Sequence, residues 1–126
     1  MPRSYNGRMS TRFDVCIRGD GMVGRSLALL LARQRLRVAL VGQAPSGKAD
    51  VRAYSLNSAS RQLLQELRCW PDEAAATPVQ RMLVWGDDGG FVRFDSPHDN
   101  GLTWIVDVPV LEQRLAEAVR FAPEIT

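Results

Sequence analysis

The sequence predicts an α/β fold in which a parallel β-α-β unit precedes a set of antiparallel strands. A short apolar run at residues 13–18 leads directly into three closely spaced glycines. An apolar helical pattern follows at residues 22–34, and a second apolar run without polar alternation follows at residues 37–41. After Val79 the pattern changes to short strands around a glycine-rich turn. This order of elements is typical of a mixed α/β architecture.

The size and composition of the chain are those of one globular domain. It has 126 residues, of which 45% are hydrophobic and 24% are charged. The net charge of +2 and the scattered basic residues argue against nucleic-acid binding. Residues 1–11 are predicted to be a disordered tail without the apolar core of a signal peptide, and no apolar stretch is long enough to span a bilayer. With only Cys16 and Cys69, we expect reduced thiols in a cytoplasmic protein, and we expect Cys16 to pack in its apolar strand.

The first predicted helix carries two sets of residues at helical spacing. They are an apolar stripe of Val23, Leu27 and Leu31 and a small-residue face of Gly24, Ala28 and Ala32. We expect this helix to pack on a sheet through its apolar surface. The strand at residues 37–41 is expected to be buried on both faces because its middle has no polar residue.

Two further helices are predicted from their caps and apolar stripes. Asn57 is placed to cap a helix that runs to about residue 68, with three inward-facing leucines, Leu63, Leu64 and Leu67. Asp107 is placed to cap a helix over residues 109–121, with Pro109 in its first turn. The apolar stripe of that last helix is Leu111, Leu115 and Val119.

The segment between these two helices is predicted to be antiparallel β structure. Pro71 and Pro78 bracket a short acidic and alanine-rich turn. Residues 81–85 and 91–95 flank the sequence GDDGG, which predicts a β-hairpin, and residues 102–107 form another strand. The final residues, PEIT, stand where another strand is expected to begin, which indicates that the fold continues beyond this sequence.

Gly19, Gly21 and Gly24 form the pattern G-x-G-x-x-G after a strand and at the start of a helix, which is the setting that the pattern requires. The first glycine permits a tight turn, the second lets the backbone approach a pyrophosphate, and the third lets the helix pack closely. The helix N-terminus offers free N–H groups and a positive dipole end to phosphates. We therefore predict dinucleotide binding at this turn.

The acid that usually completes such a site is missing from the sequence. The second strand of a dinucleotide-binding unit typically ends in Asp or Glu, which binds a ribose hydroxyl. Here Gly42 stands at that position, 23 residues after Gly19. Gln43 follows it, and its amide oxygen is a candidate substitute. Without that substitution, the ribose contact is absent and nucleotide affinity is lower.

Three segments of the chain resemble the FAD-dependent hydroxylases of ubiquinone biosynthesis, which are aromatic-ring flavoprotein monooxygenases. The segments are DVCIRGDGMVGRSLALLLARQRLRVALVGQ, DVRAYSLNSASRQLLQEL and WIVDVPVLEQRLAEAV. The likeness covers about residues 13–126, which match only the N-terminal part of such an enzyme. Its more specific signal is a D-x-R-x-x-x-L pattern at residues 50–56, whose arginine, Arg52 here, lies near the flavin in the family.

The resemblance implies that the cofactor is FAD, bound by Gly19, Gly21, Gly24 and Arg52. It implies NAD(P)H as the reductant and an aromatic small molecule as the substrate of the complete enzyme, with peripheral attachment to the inner membrane as an option. Residues 12–78 and 107–126 would form part of a Rossmann-like FAD-binding domain, and residues 79–106 part of an inserted substrate-side β-sheet. Because that sheet is incomplete here, we expect self-association through exposed strand edges.

The chain departs from the family pattern at three positions. Gly42 replaces the ribose acid, and Val108 replaces a polar residue that often lies close to the flavin before the last helix. Arg35 replaces the glycine that usually ends the first helix, and a left-handed non-glycine residue there costs on the order of 1 kcal/mol. Together with the missing C-terminal part, these departures predict weakened FAD binding and an inactive isolated chain.

Two other functions stay open from the sequence. A nicotinamide-dependent dehydrogenase domain would share the glycine turn but would not predict the sequence DVRAYSL or the hairpin. A non-catalytic nucleotide-binding or interaction module would fit Gly42 and Val108. No catalytic residue or metal site is predicted, because His98 lies in a polar loop without partners and the turn at Asp87 and Asp88 lacks calcium-site spacing.

Overall fold

The chain folds into three small sheets and three helices in the residues that the structure describes. The computed structural model describes residues 12–44, 47–97 and 101–126, so the tail predicted at residues 1–11 and the predicted loop residue His98 lie outside them. The strands are β1 (Val15–Arg18), β2 (Val38–Val41), β3 (Ala53–Leu56), β4 (Ala76–Val79), β5 (Arg81–Trp85), β6 (Phe91–Asp95) and β7 (Thr103–Asp107). The helices are α1 (Met22–Arg33), α2 (Ser58–Glu66) and α3 (Val108–Arg120), with a 3₁₀ turn at Glu73–Ala75. The predicted mixed α/β class is confirmed.

β1, α1 and β2 form the parallel unit that the sequence predicts. β1 and β2 pair in parallel, from Val15 opposite Val38 to Arg18 opposite Val41. Ile17, Ala28 and Val38 form a small buried cluster between the helix and these strands. This unit places the glycine turn at the carboxyl end of β1, beside the carboxyl end of β2.

The small-residue face of α1 is the face that packs, and the predicted apolar stripe is wrong for its first two members. Val23 is 78% exposed and Leu27 is 44% exposed, whereas Ala28 and Ala32 are buried. Small side chains let the helix approach the strands closely, and Leu29 completes the buried side. The larger side chains of the stripe lie on the outer surface of the described part of the chain.

β2 is less buried than the sequence predicts. Val38 is buried, but the middle of the strand is half-buried and Val41 is 51% exposed. The far edge of β2 pairs with the last residues of the chain. The Val38 N–H donates to the Glu124 carbonyl at 2.8 Å, and the Thr126 N–H donates to the Val38 carbonyl at 2.9 Å. A strand-like segment therefore lies where the final residues predict one.

A three-stranded antiparallel sheet has the order β3-β7-β4, and two of its strands are not predicted by the sequence pattern. The central strand is the predicted β7, whose Ile105 lies opposite Ser55 of β3 and Thr77 of β4. The turn predicted between Pro71 and Pro78 is shorter than expected, because β4 begins directly after the 3₁₀ turn. Pro78 is tolerated within β4 because this is an edge strand.

The larger core lies between the three helices and the three-stranded sheet. Its buried residues are Leu29, Leu64, Leu67, Cys69, Ala76, Trp104, Val106, Leu111 and Leu115. The inward orientation predicted for Leu64, Leu67, Leu111 and Leu115 is confirmed. Cys16 is exposed, so the prediction that it packs in its strand is wrong. Neighbouring side chains of β1 point to opposite faces, and the buried side chain of this strand is that of Ile17. Both cysteines are free thiols.

β5 and β6 form the predicted hairpin. They pair from Arg81 opposite Asp95 to Trp85 opposite Phe91. In the turn, the Asp88 carboxylate accepts a hydrogen bond from the Gly90 N–H at 3.0 Å. Every residue of both strands is exposed in the described part of the chain, so the hairpin adds no side chain to either core.

The two predicted N-terminal caps have different outcomes. Asn57 caps α2 as predicted, and its side-chain oxygen accepts a hydrogen bond from the Ser60 N–H at 2.9 Å. Asp107 stands at the N-cap position of α3 with Pro109 in the first turn, as predicted, but its side chain makes no capping hydrogen bond. Asp107 is also the last residue of β7, where it pairs with Ala53. No helix in residues 12–44, 47–97 and 101–126 is long and apolar enough to cross a membrane.

α1 and α2 end in the same backbone motif, with an arginine where glycine is usual. Arg35 has a φ of 63° and Arg68 a φ of 59°, both in the left-handed region. After α1, the Arg35 N–H donates to the Ala32 carbonyl and the Leu36 N–H to the Leu31 carbonyl, and the corresponding bonds close α2. These bonds define a Schellman motif. The left-handed conformation predicted for Arg35 is therefore present.

Candidate functional site

The glycine turn joins β1 to α1 and lies against the end of β2. Gly19 has a φ of +115°, which side chains of L residues rarely adopt, so the turn requires glycine at this position. The Gly19 N–H donates a hydrogen bond of 2.7 Å to the Val41 carbonyl. This bond holds the turn at the carboxyl end of β2, where parallel units bind ligands.

Gly21 and Gly24 have opposite surroundings. A Cβ atom built on Gly24 would lie 1.8 Å from the carbonyl oxygen of Gly19, so only glycine lets the helix approach the turn this closely. A Cβ atom built on Gly21 would meet no atom within 4 Å. Gly24 is therefore required by the protein's own packing, whereas nothing in the described part of the chain requires glycine at position 21.

The first turn of α1 leaves its backbone donors available. The helix is preceded by Gly21, no side chain caps its first turn, and that turn contains no acidic residue. The first N–H groups of an α-helix have no partner within the helix and carry its positive dipole end. Ser26 is buried, and its hydroxyl donates to the Met22 carbonyl at 2.7 Å, so this hydroxyl is engaged within the helix.

A cavity of about 520 Å³ lies at the turn. It is lined by Arg18, Gly19, Asp20, Gly21, Val41, Gly42 and Gln43. The structure thus brings together three of the predicted site residues, Gly19, Gly21 and Gln43. Gly24 lies behind them, in contact with Gly19, and Arg52 is not among the lining residues.

Asp20, which lines this cavity, and its ion-pair partner Arg25 were missed by the sequence reasoning. The Asp20 carboxylate lies at the cavity and is 3.6 Å from the Arg25 guanidinium, which also donates to the Glu112 carbonyl of α3 at 3.2 Å. The sequence carries a signal for Asp20, because an acid stands between the first two glycines while the acid usual at position 42 is absent.

Arg52 is held by an ion pair of its own. Its Nε and Nη2 atoms donate to the two carboxylate oxygens of Asp50 at 3.0 and 2.8 Å. These hydrogen bonds lower the pKa of the Asp50 carboxyl to about 2 and raise the pKa of Arg52. The Arg52 side chain is 61% exposed and its guanidinium carbon lies 5.8 Å from the centre of the Tyr54 ring.

The first half of α3 lies between Arg52 and the glycine turn. The Val108 N–H, at the start of α3, donates to the Arg52 carbonyl at 3.1 Å. One turn later, the Glu112 carbonyl accepts the hydrogen bond from Arg25. Val108 itself is buried, so the position that is often polar in the family contributes no polar group here. The α3 helix thus connects the two parts of the predicted site.

The other residues considered from sequence have structural surroundings. Cys69 is buried, and that burial raises the pKa of its thiol. Trp104 is buried and meets Trp70 edge to face, with ring centres 6.2 Å apart. Trp85 is exposed on the hairpin and lies 5.4 Å from Phe91. None of these residues adjoins the cavity at the glycine turn.

The fold matches that of several solved flavin-dependent monooxygenases. The crystal structure of PqsL from P. aeruginosa in complex with 2-aminobenzoylacetate matches with a TM-score of 0.71 and 25% identity, over 91% of this chain and 32% of that one. The flavin-dependent monooxygenase PieE, solved with FAD and substrate, shares the fold with a TM-score of 0.65 and 24% identity, over 92% of this chain and 23% of that one.

Among curated proteins, the chain is similar to 3-demethoxyubiquinol 3-hydroxylase of Escherichia coli (strain K12). The two are 31% identical over 123 residues, which cover 90% of this chain and 32% of the hydroxylase. No protein-family profile matches the chain. The alignment spans about a third of the length of the hydroxylase. The similarity confirms the predicted resemblance to the FAD-dependent hydroxylases of ubiquinone biosynthesis.

Proposed function

We propose that this chain is the N-terminal, FAD-binding portion of an FAD- and NAD(P)H-dependent monooxygenase that hydroxylates an aromatic ring in ubiquinone biosynthesis. The observation that carries the proposal is the cavity at the glycine turn, bordered by the open side of Gly21 and the end of β2. The similarity to 3-demethoxyubiquinol 3-hydroxylase supports the aromatic substrate and the pathway. The flavin-dependent monooxygenases that share the fold support FAD as the cofactor.

The residues at the turn fit a pyrophosphate. The open space at Gly21 lets a phosphate approach the backbone, and the uncapped first turn of α1 supplies N–H donors. Gly24 keeps the helix in position against Gly19. In the proposed arrangement Gln43 lies at the rim of the cavity, beside the ribose, and Arg52 lies near the flavin ring. FAD, when bound, supplies the oxygen chemistry, and the chain's residues bind and orient it.

We interpret β1, α1 and β2 as a Rossmann-like unit within a domain formed by residues 12–78 and 107–126. The bonds between β2 and the last residues of the chain support this grouping. We assign residues 79–106 to a substrate-side segment, although its last strand, β7, pairs with β3 and β4. The exposed hairpin is the proposed surface of self-association, and the two free cysteines are consistent with a cytoplasmic location.

Substituting Gly21→Val tests the proposed nucleotide site directly. The valine side chain would enter the open space at the turn, where it meets no protein atom but would meet a phosphate. We expect FAD affinity, measured by quenching of flavin fluorescence, to fall at least about tenfold while the far-ultraviolet circular dichroism is unchanged. The matched control is Ala59→Val on the exposed side of α2, which leaves FAD affinity as in the parent chain.

Two outcomes would contradict the proposal. If the Gly21→Val chain titrates FAD like the parent, the turn is only structural. If the parent binds NAD⁺ and not FAD, the nicotinamide-dependent dehydrogenase function replaces the flavin one.

We also expect the parent chain to purify with little or no FAD and to oxidise no NAD(P)H. The chain spans about a third of the length of its curated relative, so the contacts that the other two thirds of such an enzyme would make with FAD are not supplied by these residues. Even one lost hydrogen bond to a charged group costs roughly 1.5–3 kcal/mol, which is about ten- to a hundredfold in affinity. The absorbance at the flavin maximum of the purified protein measures its occupancy. Stoichiometric flavin in the unmodified chain would contradict the expectation of weak binding.

A further inference from the structure

The Asp20 carboxylate lies against Gly42, at the end of β2. A Cβ atom built on Gly42 would lie 2.1 Å from Cγ and 2.1 Å from Oδ2 of Asp20. The Asp20 carboxylate therefore occupies the space that a side chain at position 42 would take. Position 42 is the position at which the second strand usually presents its acid. Glycine at this position makes room for a carboxylate that comes from the turn instead.

Asp20 is positioned by the backbone of the turn and by one ion pair of its carboxylate. The hydrogen bond from Gly19 to Val41 fixes the backbone of the turn on β2, one residue before Asp20. The Arg25 guanidinium lies 3.6 Å from Asp20 Oδ2 and is itself anchored on the Glu112 carbonyl of α3. The Asp20 side chain remains 38% exposed at the edge of the cavity, so its free lone pairs are accessible to a ligand.

We propose that Asp20 replaces the missing acid of β2 and accepts hydrogen bonds from the ribose hydroxyls of the adenosine half of the dinucleotide. This inference rests on the proposed function, since it assumes that the cavity holds a dinucleotide. It concerns which residue recognises the ribose, and it assigns that role to the turn between Gly19 and Gly21. The lost contact at Gly42 is then offset, and Gln43 is not needed for it.

A carboxylate at this position also sets the class of nucleotide. It accepts hydrogen bonds from free hydroxyls, and it repels a phosphate on the same ribose. The site therefore selects nucleotides with an unmodified ribose, such as ADP and FAD, against those with a 2′-phosphate.

This overlap changes the expected effect of a Gly42→Glu substitution on ADP binding. In the parent chain the new side chain displaces the Asp20 carboxylate and adds a second negative charge beside it. We therefore expect Gly42→Glu alone to weaken ADP binding or leave it unchanged. In an Asp20→Gly background the same glutamate has room and restores the usual arrangement of the acid on β2.

The experiment measures binding of ADP, 2′,3′-dideoxy-ADP and 2′-phospho-ADP to the 126-residue chain by calorimetry. We expect the parent to bind ADP at least about tenfold more tightly than either analogue. Asp20→Asn should lose this preference, and its affinity for ADP should be about tenfold lower than that of the parent. Asp20→Ser is a second variant in case Asp20→Asn does not fold. The double variant Asp20→Gly/Gly42→Glu should bind ADP within about threefold of the parent. Asp87→Asn, an exposed acid at the hairpin tip, is the matched control and should change nothing.

The outcomes separate this inference from the proposed function. If the parent binds FAD and ADP but does not distinguish ADP from the dideoxy analogue, or if Asp20→Asn binds like the parent, Asp20 is not the ribose acceptor and the FAD site stands. If the folded parent and the folded double variant bind neither FAD nor ADP at millimolar concentration, the proposed function fails, and the role of Asp20 fails with it.

Discussion

The β1–α1–β2 unit and the β5–β6 hairpin are both local in sequence, but they differ in what their side chains contact. In the parallel unit, Ala28 and Val38 are completely buried and Gly24 touches the turn. In the hairpin every strand residue is exposed, including Trp85 at 66% and Phe91 at 54%. The glycine turn is therefore fixed by the chain's own packing, whereas the hairpin is ordered by its backbone ladder and its own cross-strand pairs.

The difference indicates where each region obtains its stability. The glycine turn is positioned by buried contacts and by the bond between Gly19 and Val41, so changes there should alter global stability. The hairpin contributes no buried residue to either core cluster. Substitutions on it should instead alter association between molecules, since exposed apolar strands are sites for intermolecular pairing.

The largest effect is expected from Gly24→Ala. Its Cβ would lie 1.8 Å from the Gly19 carbonyl oxygen, so the helix must move away from the turn. We expect a loss of about 3 kcal/mol in the free energy of unfolding, even though alanine is the better helix former by about 1 kcal/mol. Urea denaturation followed by circular dichroism measures it. The matched control is Gly21→Ala in the same turn, which should be near neutral; equal effects would show that the close approach at Gly24 is absent in solution.

A second prediction concerns self-association of the hairpin. The test is a double variant, Leu83→Glu with Val84→Lys. Leu83 lies opposite Arg93 of β6, and the side chain of Val84 lies on the other face of β5. We expect the parent to sediment as dimers or larger species at micromolar concentration and the double variant to shift toward monomer. Its unfolding free energy should change by no more than about 0.5 kcal/mol, as for exposed positions generally. Gln80→Lys, an exposed position just before β5, is the control. A parent that is monomeric throughout would refute the proposed surface.

The helix ends offer a smaller effect, this time stabilising. Arg35 and Arg68 hold left-handed backbone conformations that glycine adopts without cost. Arg35→Gly and Arg68→Gly should each raise the unfolding free energy by about 1 kcal/mol, and the two changes should add because they lie in separate motifs. Thermal unfolding of the single and double variants measures this. The control is Arg33→Gly at the last residue of α1, where the backbone is still helical. It should destabilise the chain, because glycine is unfavourable in a helix and the hydrogen bond from Arg33 to the Glu66 carbonyl is lost.

The smallest effect concerns the ion pair of Asp50 and Arg52. Hydrogen bonds from Arg52 lower the pKa of Asp50 from 3.8 to about 2, so the folded state favours the ionised carboxylate. The pair therefore contributes stability above a pH of about 4, and this contribution is lost as the pH falls toward 2. Nuclear magnetic resonance titration of the Asp50 carboxyl should show the lowered pKa. Arg52→Gln should raise this pKa only part of the way toward its ordinary value, because the backbone N–H of residue 52 still donates to Asp50 Oδ1. An unchanged pKa in that variant would show that another group lowers it.

The sequence predicts the elements with strong periodicity and leaves out those that depend on distant partners. The parallel unit, α2, α3 and the hairpin follow from apolar spacing, from the Asn57 cap and from the glycine-rich turn. β3 and β4 are four residues each. Pro78 lies within β4, so these strands exist because β7 lies between them and pairs with both. Local pattern cannot show such pairing.

The candidate site, like the fold, was predictable from the sequence only in part. The order of Gly19, Gly21 and Gly24 is enough to predict the turn, and the left-handed Arg35 follows from the family's glycine at that position. Which face of α1 is buried depends on how closely the helix approaches the strands, so the size of Ala28 was more decisive than its hydrophobicity. The contact between Asp20 and Gly42 could not be predicted from the sequence. Asp20 follows β1 and Gly42 follows β2, and the two residues meet only when these strands pair.

The pairing of β2 with the last residues of the chain has a consequence for the order of folding. Val38 forms backbone hydrogen bonds with Glu124 and Thr126. These bonds on the far edge of β2 can form only when the roughly eighty intervening residues bring the end of the chain back to β2. Closing such a loop costs chain entropy before any contact compensates it, and contacts between distant residues slow folding. We therefore expect the glycine turn to form early from neighbouring residues, and the opposite edge of β2 to be completed late, after α3 has docked.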